Sequence, residues 1–534
     1  MILVIIFLSF FLSLFSTAVL LYIAIATYIG PWIAPTIALI SLLIMRLIAH
    51  NFSTTKAVAY ITCASSVGGM VATAVGFSYP TLYFLDPVLF SQSLKSPFYF
   101  SGIITGLTLA AGLFGFWIAD FWENDFLDNL QLPFPIGEMT CKVIVAHKSV
   151  RKAYELVGGF LSSFFFSLSQ TGIKNCRGII PAGVTLVSSH AFGPVVLPAI
   201  HILFSPFLWA IGFVTGKLIA QPLIIGACAR FMIIDPLAAL FFPSLGNDNF
   251  LFAFCGGMMV CGTASSFRHL PAMIYKGLKK YAHYFSSLSS HNVRMRDHFP
   301  RFISLTCICV GIIIFLSYLH FPLITQIYLL ITSYACTYNI ALITGKMGLA
   351  TLGRFATFVM VPAMFLFNLT KFQFIYIATF VEIAGAVAAD VLNGRKIGRE
   401  CHLSRPHLRA AQIFGLVVSC AAVGILLWCF LQKFHLGSTD FFAGRAQSRA
   451  LLMSVSSFDY AALILGVIFS YLLQLLKANP LLVLGGILMP LNFSIGLLLG
   501  AAGTFLVKDP DEWVPFWSGV FAASSLWMLM RLFF

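Results

Sequence analysis

The sequence predicts an all-α, polytopic membrane protein with about 14–16 transmembrane helices, two related halves, and re-entrant or broken segments. Three observations lead there. Hydrophobic residues make up 60% of the 534 residues and charged residues 9%, where a soluble domain carries about 25% charged residues. Apolar runs of about 20 residues, the length that crosses a bilayer as a helix, recur along the chain. The runs are continuous, not alternating, which excludes an outer-membrane barrel. A mean hydropathy of +0.95 likewise excludes a soluble enzyme, a disordered chain and a nucleic-acid binder.

In chain order the spans fall near 3–28, 30–49, 57–83, 98–119, 152–170, 205–221, 223–243, 250–267, 302–319, 322–343, 348–369, 372–391, 407–431, 459–476, 480–507 and 514–533. The first run has no basic residues ahead of it and is too long for a signal-peptide core, so it reads as the first membrane helix. Segments around 137–150, 188–204, 446–458 and 480–507 are too short or too interrupted for a simple span.

Charge organises the chain. The net charge of +14 concentrates in two loops. Residues 268–301 carry seven Lys and Arg against Asp297, and 395–409 carry Arg395, Lys396, Arg399, Arg405 and Arg409 against Glu400. By the positive-inside rule both are cytoplasmic, so the charge sets topology and implies no nucleic-acid partner. The first loop reads as a connector between halves 1–267 and 302–534. Its His269, His283, His291 and His298 could instead form a metal site, but a solvated connector is the simpler reading. The twelve Cys lie mostly in apolar runs with no CxxC pair, so no zinc site or disulfide framework is indicated.

Internal repetition supports the two halves. Residues 205–233 align without a gap on 479–507, matching Pro206 with Pro480, Gly212 with Gly486, Leu223 with Leu497 and Gly226 with Gly500. Gly30 pairs with Gly348, Gly69 with Gly385, and Gly106 with Gly415, in preserved order.

Within this frame a few residues carry chemistry. Ser65 to Gly69 and Ala384 to Ala389 are small-residue stretches. They suit close helix packing, or a helix that lets substrate approach its backbone, here at Ser65, Gly69 and Gly385. Pro133, Phe134, Pro135 and Gly137 cannot continue a regular helix. The short run after them, opening on Glu138 and Thr140, is either re-entrant or an interfacial helix after a surface turn. Glu382 lies mid-span, where a charge is costly unless paired or hydrated. Asp390 lies eight residues on, with Asn393 and Lys396 beyond it. Glu382 and Asp390 fit a shared cavity wall that exchanges protons or pairs a substrate amine; alternatively Asp390 caps the span and pairs Lys396 or Arg395. No Walker A, G-x-S-x-G or His-Glu-x-x-His pattern is present, so neither enzyme chemistry nor a cofactor is expected.

Three blocks resemble the oligopeptide transporter (OPT) family, which includes the yellow-stripe-like metal-chelate transporters. They are Ala64–Gly69 running on to Gly76-Phe77-Ser78-Tyr79-Pro80-Thr81-Leu82; Leu132-Pro133-Phe134-Pro135-Ile136-Gly137; and Ala389-Asp390-Val391-Leu392-Asn393-Gly394-Arg395-Lys396-Ile397-Gly398, followed by Ser404, Pro406, Arg409 and Gln412. The chain departs from the family pattern at Glu138 and Met139, which interrupt a small-residue run, and at Lys142, Gly394, Asn393 and Lys56. These departures move charge along the expected pathway.

The resemblance implies a multi-pass secondary transporter; the compact termini and short loops point to a cell membrane, as in a bacterial inner membrane. It imports small peptides or peptide-like metal chelates, in many members with protons, by alternating access at a site between the halves. Membrane lipids are its surroundings; the oligomeric state is left open. The competing readings are a membrane-embedded enzyme for a lipid-linked substrate and a passive channel.

Overall fold

The computed structural model describes the chain except residues 1, 27–29, 31, 49–53, 147–149, 172–177, 182, 188–189, 193–194, 198–199, 216, 244, 246–249, 252, 259–260, 262–298, 349, 351, 439–440, 442, 455–458, 477, 479, 489–490 and 531–534. The expected connector therefore lies, up to residue 298 and with all four of its histidines, outside the described residues.

Helix dominates, because intrahelical bonds are how a single apolar segment satisfies its backbone in lipid. The first part of the chain forms α1 (Ile2–Ala26), α2 (Ala34–Ile48), α3 (Thr54–Ser78), α4 (Thr81–Leu85), α5 (Pro87–Leu94), α6 (Pro97–Asn124), α7 (Pro135–Ala146), α8 (Val150–Thr171), α9 (Pro206–Thr215), α10 (Lys217–Ala229) and α11 (Asp235–Phe241). The second forms α12 (Phe299–Tyr318), α13 (Leu323–Met347), α14 (Leu352–Leu366), α15 (Lys371–Glu400), α16 (Arg405–Lys433), α17 (Gly444–Ser454), α18 (Tyr460–Leu475), α19 (Pro480–Leu488), α20 (Leu491–Leu506) and α21 (Pro510–Met530). Among the described residues seven helical segments are long and apolar enough to cross a membrane, and five shorter apolar helices accompany them. That is fewer than the expected 14–16, partly because segments such as 205–243 and 480–507 are divided into shorter helices.

One expected broken segment is not helical. Between α8 and α9, β1 (Gly183–Val187) pairs antiparallel with β4 (Ile200–Leu203), around an inner pair of β2 (His190–Phe192) and β3 (Val195–Leu197). The run is rich in Val and Ile and punctuated by Gly and Pro, a composition that favours strands over helix.

Helix positions recur along the chain. α2 and α14 are both fifteen residues long and start 318 residues apart. α7 and α17 start 309 apart, and α9 and α19 start 274 apart. The aligned stretches 205–233 and 479–507 interlock: a Cβ on Gly212 of α9 would strike the Leu497 carbonyl of α20, and one on Gly500 of α20 would strike that of Trp209. α9 and α20 therefore run antiparallel with backbones in direct contact.

Two helices form the axis of the bundle. α15 is buried along its whole apolar window and α3 nearly so. α15 starts with a capping box, in which the Thr370 hydroxyl accepts from Gln373 N–H and the Gln373 side chain accepts from Thr370 N–H. α1, α6 and α16 pack around the pair, with Met70, Val71, Ala111, Ala386, Val387 and Leu416 in the shared core.

Candidate functional site

The two buried carboxylates of α15, Glu382 and Asp390, face α3. Ser66 donates its hydroxyl hydrogen to Asp390 Oδ2 at 2.7 Å. Twelve residues on, Ser78 donates to Glu382 Oε2. Residues 66 and 78 thus meet 390 and 382, so the helices run antiparallel. Glu382 is fully buried and is also met by Arg449 of α17, whose Nη2 lies 2.5 Å from Oε1. Arg449 Nη1 donates to Ser78 Oγ at 2.5 Å, closing a three-membered ring of polar groups. Gly353, at the start of α14, faces this ring; a Cβ there would sit 3.4 Å from Glu382 Oε1 and 3.5 Å from Arg449 Nη2. Arg449 Nε and Arg354 Nη1 are buried with no hydrogen-bond partner among the described residues. Asp390, 1% exposed, forms no ion pair among them.

The proline-rich segment reaches the same helix. Phe134 adopts a left-handed backbone (φ 46°), buries its ring completely and donates its N–H to the Gly345 carbonyl at 2.9 Å. Pro133 and Pro135 flank this turn, and α7 starts at Pro135. The Gly137 N–H then donates to Asn393 Oδ1 of α15 at 3.3 Å. A Cβ on Gly137 would crowd the Asn393 carbonyl at 2.7 Å, so glycine is what allows α7 to sit here. Trp32 Nε1 donates to the carbonyl of Gly348, the left-handed cap of α13, beside Pro135 and Ile136. The three blocks singled out in the sequence therefore meet: α3 touches α15 through Ser66, and the proline turn touches it through Gly137.

Other expected residues are engaged differently. Thr140 bonds the Ile136 carbonyl of its own helix at 2.7 Å. Glu138 pairs with Lys142 at 3.1 Å, and Lys396 with Glu400 at 3.2 Å. Ser65 bonds the Ser9 carbonyl, Gly69 abuts α1, and Gly385 abuts Ile340 of α13. These last three sit at helix crossings, the usual use of small residues in membranes. Asp390 neither caps its helix nor pairs Lys396 or Arg395, because α15 continues ten residues beyond it.

That continuation carries a network not recognised from the sequence. Arg395, 1% exposed, donates from Nη2 to Asp120 Oδ1 at 3.2 Å, and its Nε lies 3.7 Å from Glu123. Arg409 reaches Asp120 Oδ2 at 3.3 Å, Arg405 reaches Glu123 at 2.8 Å, and Arg399 reaches Glu123 and Asp128. The signal was present as an acidic stretch, 120–128, and a basic one, 395–409. Arg449 fell in a segment set aside as broken. Nearby, the thiols of Cys141 of α7 and Cys401 at the end of α15 lie 3.5 Å apart. Among the described residues no group of three His, Cys, Asp or Glu could hold a metal ion.

No curated protein matches the chain. The family model "OPT oligopeptide transporter protein" matches residues 3–524, nearly the whole chain. By that match, and with a helical membrane architecture around it, the chain belongs to the OPT oligopeptide transporter family, whose members are transporters and not enzymes.

Proposed function

We propose that the protein is a proton-coupled secondary transporter of small peptides or peptide-like metal chelates, working by alternating access between two halves, 1–267 and 302–534. The observation that carries this reading is the pair of buried carboxylates on α15, each held by a serine of α3 from the other half. A charge in the membrane interior persists only if paired or hydrated. Glu382 has Arg449 and Ser78. Asp390 has one hydroxyl and no cation among the described residues, so uptake of a proton is the available route to neutralising it. Asp390 is therefore the proposed proton carrier, and Glu382 the proposed partner for a substrate amine when Arg449 is displaced.

The recurring helix positions support the duplication, and the antiparallel course of α3 and α15 supports an inverted arrangement of the halves. Pro133, Phe134, Pro135, Gly137, Glu138 and Thr140 would then line one side of the pathway, with Asn393 and Lys396 at its end. Ser65, Gly69 and Gly385 would set the helix spacing around it.

Uptake of labelled di- to tetrapeptides into proteoliposomes, with and without an inward proton gradient, tests the reading. A gradient-stimulated signal that Asp390→Asn makes insensitive to the gradient is expected. No solute movement, or uptake indifferent to both Asp390→Asn and Glu382→Gln, overturns it.

A further inference from the structure

The arginine network opens on a pocket. A cavity of about 330 Å³ is lined by Asp120, Arg405, Pro406, Arg409, Ala410 and Ile413. Both Asp120 oxygens are already engaged, by Arg395 and Arg409. Arg405 and Arg409 each give one Nη2 to a carboxylate, and their side chains remain 41% and 36% exposed. A guanidinium has five N–H donors, so most of theirs remain for a ligand. Four guanidiniums, of Arg395, Arg399, Arg405 and Arg409, face three carboxylates, of Asp120, Glu123 and Asp128. Among these seven groups one positive charge is left over. The two arginines also occupy the first turns of the 29-residue α16, where the helix dipole favours an anion.

The rest of the lining says what kind of anion. Pro406, Ala410 and Ile413 follow at helical spacing, Pro406 and Ala410 exposed and Ile413 half-buried. They form an apolar strip leading down the helix from the arginine pair. At 1.5 Å per residue α16 is about 44 Å long, against about 30 Å of hydrocarbon, so roughly the first four or five residues reach the headgroup layer. The arginines then lie at phosphate depth and Ile413 at the first acyl carbons. This end of the molecule is also the basic one, which the positive-inside rule places in the cytoplasmic leaflet, where anionic lipids collect.

We infer that Arg405 and Arg409 hold the phosphate of an anionic phospholipid, whose glycerol and upper acyl chain lie along Pro406, Ala410 and Ile413. The lipid supplies the missing negative charge of the network and thereby clamps the α6 end against α15 and α16.

The test uses the full-length protein in nanodiscs of mixed phosphatidylglycerol and phosphatidylcholine, with retained lipid read by native mass spectrometry. Enrichment of phosphatidylglycerol by about tenfold is expected. Arg405→Gln/Arg409→Gln should abolish it, while Arg409→Lys, which keeps the charge, should keep most of it. Thermal stabilisation by added phosphatidylglycerol provides a second readout, lost in the same double variant. Equal retention of the two lipids, or enrichment unchanged in the double variant, overturns the inference. So does stabilisation by inorganic phosphate equal to that by the lipid, which would make the site one for a free anion.

Discussion

Glu382 and Asp390 stand eight residues apart on one buried helix, and their surroundings differ in kind. Glu382 is locked between a guanidinium and a hydroxyl, with Gly353 of α14 facing the pair. Asp390 receives one hydroxyl and is otherwise surrounded by helix. Sequence context alone makes them look alike, as single acids in apolar runs. The difference is supplied by α17, fifty and more residues further along, which brings Arg449 to one acid and not the other. An intramembrane carboxylate is therefore assigned a role by what arrives from a distant segment, not by its own neighbours in the chain.

This contrast can be broken at either end. The largest effect is expected at Arg449. Arg449→Leu leaves Glu382 buried without its cation and should cost about 3–5 kcal/mol of stability. Unfolding by denaturant in mixed micelles measures it. Adding Glu382→Leu should recover much of the loss, since replacing a buried pair by apolar groups is often close to neutral; no recovery would mean the pair does not act as a unit. At the other acid, Ser66→Ala should cost about 1 kcal/mol, the usual net value of a hydrogen bond. An equal loss at both sites would erase the distinction drawn between them.

The smallest expected effect lies outside the membrane. Asp86 caps α5, accepting from the Leu89 N–H, and pairs with Lys371 at 3.0 Å. The Leu89 N–H, with help from Lys371, lowers its carboxyl below the usual range. A lowered folded value stabilises above the unfolded one, near 3.9, and is lost as pH falls through the folded value. Asp86→Asn should remove a slight acid-limb dependence of stability and leave neutral-pH uptake intact, as melting curves at stepped pH and uptake at pH 7 can check.

Much of the frame was legible because continuous apolar runs leave few alternatives to helix. The proline turn was also legible, as an irregular feature where lipid tolerates none without reason. What escaped the sequence was pairing across distance. The run at 395–399 looked like the start of a loop because its charges are costly in a helix within lipid. Asp120, Glu123 and Asp128 neutralise those charges, so α15 continues to Glu400. Arg449 escaped for the same reason, since a short interrupted helix gives no hint of the acid it will meet. The strands at 183–203 escaped because their β-branched residues sit in a run as apolar as a membrane helix.

The interlock of α9 with α20 carries a final implication. Gly212 and Gly500 rest on each other's helix through main-chain atoms, with no side chain between to yield. A methyl group added on either partner would wedge the pair apart along its whole length. Stretches 205–233 and 479–507, though alike, are thus no longer free to drift independently: each has become the mould in which the other must fit.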